Sequence, residues 1–152
     1  MHIENAKYSL KHPSNTMVNT KIADALMNKA PNGRIPCPSA HEIATTLGVL
    51  PTEVGVTADL LEYRIIECQM GLFGYLPEKR IAQATPKSQI AQELRAAIEF
   101  EVGNKTEAKQ VKIISCLSCW HIAEQLNIPR MTVAEACNGL GLKIKPCQIG
   151  AF

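Results

Sequence analysis

Apolar residues recur at helical spacing in two long segments of the chain. Residues 16–29 place apolar side chains three or four positions apart, and residues 86–102 do the same over a longer stretch. This period is typical of a helix that buries one face. The pattern predicts an amphipathic helix in each segment.

Each of these predicted helices is followed by two shorter helical patterns that are separated by a tight turn. Gly48 and Asn127 lie at the two turns, and both residue types tolerate the left-handed backbone conformation. Ala44 and Ala123 lie where the second helix of each pair would cross the first, and a steep crossing needs a small residue there. The sequence therefore predicts two pairs of crossed helices.

Short segments that are predicted to be extended flank both helix pairs. "RIPC" and "VKIIS" precede the pairs, and "RIIECQ" and "LKIKPCQ" follow them. The predicted order is helix, strand, helix, turn, helix and strand, and it occurs twice.

The two halves of the chain also repeat in sequence. Residues 37–73 align without a gap on residues 116–152 at a constant offset of 79, and 12 of the 37 pairs are identical. Self-similarity at one fixed offset indicates a structural unit built twice. We therefore expect a mainly α fold with short β strands, formed by an internal duplication. The expected units are residues 1–76 and 89–152, joined by a polar, proline-bearing linker at residues 77–88.

With its leading helix, short strand and hinged helix pair, the chain resembles tandem winged helix-turn-helix proteins, in particular small prokaryotic transcriptional regulators. That resemblance implies two winged-helix-like units, in which the strand before each helix pair and the strand after it are neighbours, and a third helix that lies in the major groove of double-stranded DNA. One departure is that a single strand, and not a two-stranded hairpin, follows the last helix. Carried onto the second unit, the resemblance implies base-edge contacts from helix residues and phosphate contacts from lysines. The candidates are Arg130, Met131, Thr132 and Glu135 for the bases, and Lys143 and Lys145 for the phosphates.

The distribution of charge distinguishes the two repeats. Residues 37–73 carry a net charge of −4, whereas residues 116–152 carry +1. Duplex affinity comes largely from neutralised phosphates, so the second unit is the expected DNA reader. We expect a homodimer in which two second units read a palindrome. The alternative is a non-catalytic protein–protein interaction module that reuses the helix-turn-helix fold to dock a protein partner.

The composition is that of an ordinary globular protein, with 152 residues, 46% hydrophobic and 20% charged. No stretch approaches the ~20 apolar residues of a spanning helix, and the first residues lack the layout of a signal peptide. We therefore expect no membrane partner and a cytoplasmic location.

Cysteines recur at matching positions in the two repeats, and the additional Cys119 closes a "CLSC" motif that Cys116 opens. Two thiolates in each unit would suit zinc or an iron–sulfur cluster, and hence a metal or redox sensor. Cys119 is expected near a helix N-terminus, which lowers the pKa of a thiol. The alternative is that the cysteines are small buried apolar residues. The candidate ligands are Cys37, Cys68, Cys116, Cys119 and Cys147.

The sequence contains no recognisable catalytic motif. It lacks paired carboxylates in a shared setting, a glycine-rich phosphate loop and a Ser/His/Asp order with supporting context. We therefore expect no enzymatic activity and no catalytic cofactor. The repeated closing phrases "CQMGLF" and "CQIGAF" place Phe73 and Phe152, which we expect to plug the cores of the two units.

Overall fold

The computed structural model describes residues 7–78, 80–105 and 112–151, except for the side chains of residues 104 and 105. The chain is mainly helical with a few short strands, as predicted. It divides into two compact units. The first unit contains the described residues up to Cys68 together with Ile149–Ala151, and the second contains those of Gln69–Gln148. This division differs from the expected one, because the described residues of 69–88 belong to the second unit and residues 149–151 belong to the first.

The first unit opens with a short 3-10 helix and is built from three α-helices and two strands. The elements in chain order are the 3-10 helix Tyr8–Lys11, α1 Thr20–Lys29, β1 Arg34–Pro36, α2 Cys37–Leu47, α3 Pro51–Leu60 and β2 Arg64–Ile66.

Helix α1 begins later than its apolar pattern suggested. The side chain of Asn19 accepts hydrogen bonds from the backbone N–H groups of Lys21 and Ile22 at 3.1 and 3.2 Å. This side chain satisfies donors that have no partner within the helix, so it sets the start of the helix. Ile22 and Leu26 form the fully buried face of α1.

Helices α2 and α3 form the predicted pair. Gly48 ends α2 in the left-handed conformation, with φ 65° and ψ 34°. Pro51 then opens α3, where its missing N–H costs no intrahelical bond. Ala44 is buried at 3% exposure, as a close helix crossing requires. The predicted turn and the predicted small residue are both confirmed in this unit.

The strands on either side of the pair are neighbours, as predicted, and they run parallel. Arg34, Ile35 and Pro36 pair with Arg64, Ile65 and Ile66 in that register. Ile35 and Ile65 are both buried, so the strand pair contributes one apolar face to the core.

The second unit has a longer leading helix and the same order of elements. These are the 3-10 helix Lys87–Gln89, α4 Gln92–Lys105, β3 Ile113–Ile114, α5 Cys116–Leu126, α6 Arg130–Gly139 and β4 Lys143–Ile144.

Helices α5 and α6 join through Asn127, which has φ 52° and ψ 49°. The side chain of Ser115 caps α5 by accepting from the N–H of Ser118 at 3.0 Å. Ala123 is buried at 4% exposure. The parallel strands β3 and β4 bring Ile114 opposite Ile144. The predicted turn and small residue are therefore confirmed here too.

Neither helix pair is followed by a hairpin in the residues that the structure describes. One strand follows α3 and one follows α6, and each pairs in parallel with the strand that precedes its helix pair. A wing is an antiparallel hairpin, so the described residues contain no wing after either helix pair.

The closing phrases bury a different residue from the one expected. Met70 is completely buried and Ile149 is 2% exposed, whereas Phe73 is half-buried. Phe152 lies outside the described residues. The core plug is therefore the residue after the shared Cys-Gln pair. Among the described helices, none has the length and apolar character needed to cross a membrane.

Candidate nucleic-acid interface

The first turn of α6 carries the basic residue predicted to approach DNA. Arg130 is the first residue of the helix, and its guanidinium lies over the ring of Trp120 at 3.5 Å from the ring centroid. This distance is that of a cation–π contact, which holds the arginine against the fifth residue of α5. Thr132, two residues further along the helix, is exposed to solvent.

The next predicted contact residue, Met131, is half-buried. A Cβ built on Gly71 would lie 2.6 Å from its sulfur and 2.9 Å from Ala82. The backbone of Gly71 therefore passes directly over Met131, and its carbonyl accepts hydrogen bonds from Ile81 and Ala82. The backbone at Gly71 therefore covers one side of Met131.

A polar segment covers the rest of the same helix face. The carboxylate of Glu135 accepts a hydrogen bond from the N–H of Gln83 at 3.0 Å, and its backbone carbonyl accepts from Thr85 at 2.9 Å. Asn138 donates to the carbonyl of Gln83 at 3.0 Å. A Cβ at Gly139 would overlap the carbonyl oxygen of Thr85. We name residues 80–85 the covering segment.

Among the four α6 residues expected at base edges, Thr132 is the one that the structure leaves exposed. Arg130 rests on an aromatic ring, and Met131 and Glu135 contact residues of the second unit. The accessible part of α6 is therefore its first turn.

Lysines in and beside the strands of this unit extend the basic surface. Lys143 begins β4 and Lys145 directly follows this strand, and both are exposed on either side of the buried Ile144. The N–H of Lys143 donates to the carbonyl of Lys112 at 3.0 Å, and Lys112 is also exposed. In the part of the chain that the structure describes, none of these three lysines pairs with an acid.

Two shallow grooves flank Arg130 in the second unit, each of about 400 Å³. The first has an aromatic wall at Trp120 and the second at Tyr75. Ile128 and Arg130 line both grooves. The side chain of Arg130 therefore forms the ridge between two aromatic depressions.

The corresponding helix of the first unit offers no cation, as the sequence predicted. Asp59 on α3 is bound by Lys11 at 3.0 Å and by His12 at 2.8 Å. The backbone N–H groups of Tyr8 and Ser9 donate to Glu62, and the hydrogen bonds from Ser9 lower the pKa of that carboxyl. The 3-10 helix at the start of the unit thus lies along α3.

Residues 149–151 also contact α3. A Cβ at Gly55 would overlap the carbonyl oxygen of Ile149, and the ammonium of Lys11 donates to the carbonyl of Gly150 at 3.1 Å. Glycine is required at position 55 because the two backbones touch. This face of α3, like that of α6, is occupied by the chain.

All six cysteines are buried, and none of them forms a disulfide. Cys119 is the fourth residue of α5 and is fully buried, and the hydrogen bond with Cys137 raises its pKa, with burial as the second cause. The expectation of a lowered pKa was therefore wrong. No group of three or more His, Cys, Asp or Glu residues is placed to hold a metal ion anywhere in the described ranges.

The chain matches no family model, curated protein or solved structure with which it was compared. A functional assignment therefore depends on the structure and the sequence of this chain alone.

Sequence reasoning missed two features of this surface. It did not place Trp120 under Arg130, because the residue aligned with Trp120 in the other repeat is His41 and the repeat gave no common role. It also treated residues 80–85 as linker. That segment has no apolar period, and its partners on α6 lie more than 50 positions away along the chain.

Proposed function

We propose that the chain is a DNA-binding transcriptional regulator whose second unit contacts the duplex. The first turn of α6 would approach the major groove, and the lysines of the strand pair would contact phosphates. The observation that carries this proposal is the unpaired basic surface formed by Lys112, Lys143 and Lys145. Exposed cations without an acidic partner are available to neutralise the phosphates of a polyanion.

The similar construction of the two helix pairs supports a helix-turn-helix origin through internal duplication. Each pair has 11 and 10 residues, with a left-handed residue at the hinge. The pairings Ile35 with Ile65 and Ile114 with Ile144 are separated by the same offset of 79 found in the sequence. A single ancestral unit that was copied once would produce this agreement.

A second candidate function, docking of a protein partner, is favoured by one observation. The covering segment and Gly71 occupy the α6 face that a groove reader would insert. A helix that is already covered reads fewer bases, so this scaffold would suit a partner that binds elsewhere on the units.

A salt titration distinguishes the two candidates. Binding of a random-sequence DNA duplex is followed by fluorescence anisotropy at about 50 and 200 mM salt. Three phosphate contacts predict a loss of affinity of at least about 40-fold across this range. The double variant Lys143→Gln/Lys145→Gln should reduce the slope of log affinity against log salt by about 1.8.

The matched control is Lys21→Gln/Lys87→Gln, which removes the same charge from two exposed lysines elsewhere. It should leave the slope unchanged. An absence of salt-dependent binding by the wild-type chain would reject the regulator and leave the docking module.

A further inference from the structure

Two arginines stand side by side on the strand pair of the first unit. Arg34 begins β1, Arg64 begins β2, and the parallel register pairs them directly. Each is exposed, and each is followed by a buried isoleucine. In-register neighbours on parallel strands lie ~4.8 Å apart and project from the same face. The two guanidinium groups therefore share one small patch, which we name the arginine pair.

Like charges placed opposite each other on a sheet oppose its formation. In the described residues, no acid forms an ion pair with either arginine. The acid two positions before Arg64 is Glu62, whose carboxylate accepts from the backbone N–H groups of Tyr8 and Ser9 at 2.7 and 3.1 Å. Within the described residues, no acidic side chain therefore balances the two positive charges of the arginine pair, and an anionic ligand would do so.

The chemistry of arginine selects the kind of ligand. A guanidinium presents planar donors that bind phosphate oxygens in a bidentate manner, and it stays charged at every physiological pH. Two such groups side by side on exposed strands fit the phosphate backbone of a nucleic acid better than they fit a single buried anion. In the second unit Lys143 takes the place of Arg64 and Ile113 that of Arg34, so the paired arginines are particular to the first unit.

We infer that the arginine pair binds the backbone phosphates of double-stranded DNA, so that the first unit contributes contacts that its acidic third helix cannot make. This inference rests on the proposed DNA-binding function. It assigns the first unit a role in affinity without a role in base recognition. Binding through the strands is compatible with the chain segments that lie along α3.

The test compares three double variants in the full chain by the same salt titration: Arg34→Gln/Arg64→Gln, Lys143→Gln/Lys145→Gln and Lys21→Gln/Lys87→Gln. Arg34→Gln/Arg64→Gln should reduce the slope of log affinity against log salt by about 1.8, equally for duplexes of different sequence. Lys21→Gln/Lys87→Gln, which removes two scattered charges, should leave the slope at the wild-type value. Thermal unfolding of each variant confirms that it is folded.

The outcomes separate this inference from the proposed function. A wild-type slope in Arg34→Gln/Arg64→Gln, together with a reduced slope in Lys143→Gln/Lys145→Gln, overturns the role of the arginine pair and leaves the regulator in place. Absence of binding by the wild-type protein overturns both. An equal loss in the scattered-charge control would show that net charge, and not the arginine pair, sets the affinity.

Discussion

Asn127 and Gly48 hold the same backbone conformation with different side chains. Both are left-handed, which costs most residues about 1–2 kcal/mol, whereas glycine and asparagine tolerate it. Position and conformation are therefore shared by the two units even where the residue differs. The hinge was recognisable in the sequence because both residue types tolerate a positive φ angle.

Cys119 shows that one residue's place within a helix can reverse a prediction. A thiol at a helix N-terminus is acidified when the free N–H groups point at it. Cys119 instead lies one turn inside α5, in contact with Cys137 and away from water. Both surroundings favour the protonated thiol.

This protonated state predicts a dependence of stability on alkaline pH. Above the ordinary thiol pKa of 9.0, the unfolded chain loses the Cys119 proton while the folded chain keeps it. Unfolding then releases a proton, so the free energy of unfolding falls as pH rises, by up to about 1.4 kcal/mol per pH unit from this group. Chemical denaturation at several pH values above 9.0 measures the slope.

The variant Cys119→Ala removes this contribution and should show a shallower decline with pH than the wild type. Its lower stability at neutral pH does not affect the comparison, because only the slopes are compared. Identical slopes in the two proteins would contradict a raised pKa at Cys119.

At the scale of elements, the contact between α6 and the covering segment sets how much of the helix is accessible. The backbone at Gly139 touches the carbonyl of Thr85, and the hydrogen bonds of Glu135 and Asn138 hold Gln83. Since the contact is made by backbone, a side chain at Gly139 cannot be accommodated without displacement.

Gly139→Ala should therefore destabilise the protein by about 1–3 kcal/mol, as overpacking does. The matched control is Gly103→Ala in α4, where a Cβ would meet nothing within 4 Å. Alanine in a helix is favoured over glycine by about 0.5–1 kcal/mol, so the control should be neutral or more stable. Denaturant unfolding of both variants provides the comparison, and equal stabilities would show that the covering segment does not pack on α6.

The helices and their hinges were predictable from the sequence because their signals are local. A 3.6-residue period, a proline at the start of α3 and a left-handed residue at each turn all lie within the element they specify. Two features were not predictable: the packing of the covering segment on α6, and the assignment of residues 149–151 to the first unit. Their contacts join distant parts of the chain, and residues 80–85 show no period that would reveal a partner.

The site was predictable to a similar extent. Lys143 and Lys145 were named as phosphate contacts through the resemblance, and both are exposed. The burial of Met131 and Glu135 depends on Gly71 and Gln83, which no motif connects to α6. The arginine pair also required the strand register, because its members lie 30 positions apart.

For the whole molecule, the assignment of residues 149–151 to the first unit has a measurable consequence. Ile149 is buried within that unit, against the backbone of Gly55 on α3. The variant Ile149→Ala should lower the stability of the first unit by about 2–4 kcal/mol through the cavity that it leaves. Hydrogen exchange should then speed up in α3, although the substitution lies in the second repeat.

The variant Ile144→Ala serves as the comparison, because Ile144 is buried in the second unit. It should accelerate exchange in α5 and α6 and leave α3 protected. If both variants accelerated exchange in the same helices, the assignment of residues 149–151 to the first unit would be wrong.

The same assignment has a consequence for synthesis on the ribosome. The last strand of the first unit is complete at Ile66, but Ile149 is translated roughly 80 residues later. At about 5–20 residues per second this interval is about 4–16 s. During that time the nascent first unit exposes the backbone of Gly55 and the apolar site for Ile149, so this region is where a chaperone would bind the growing chain.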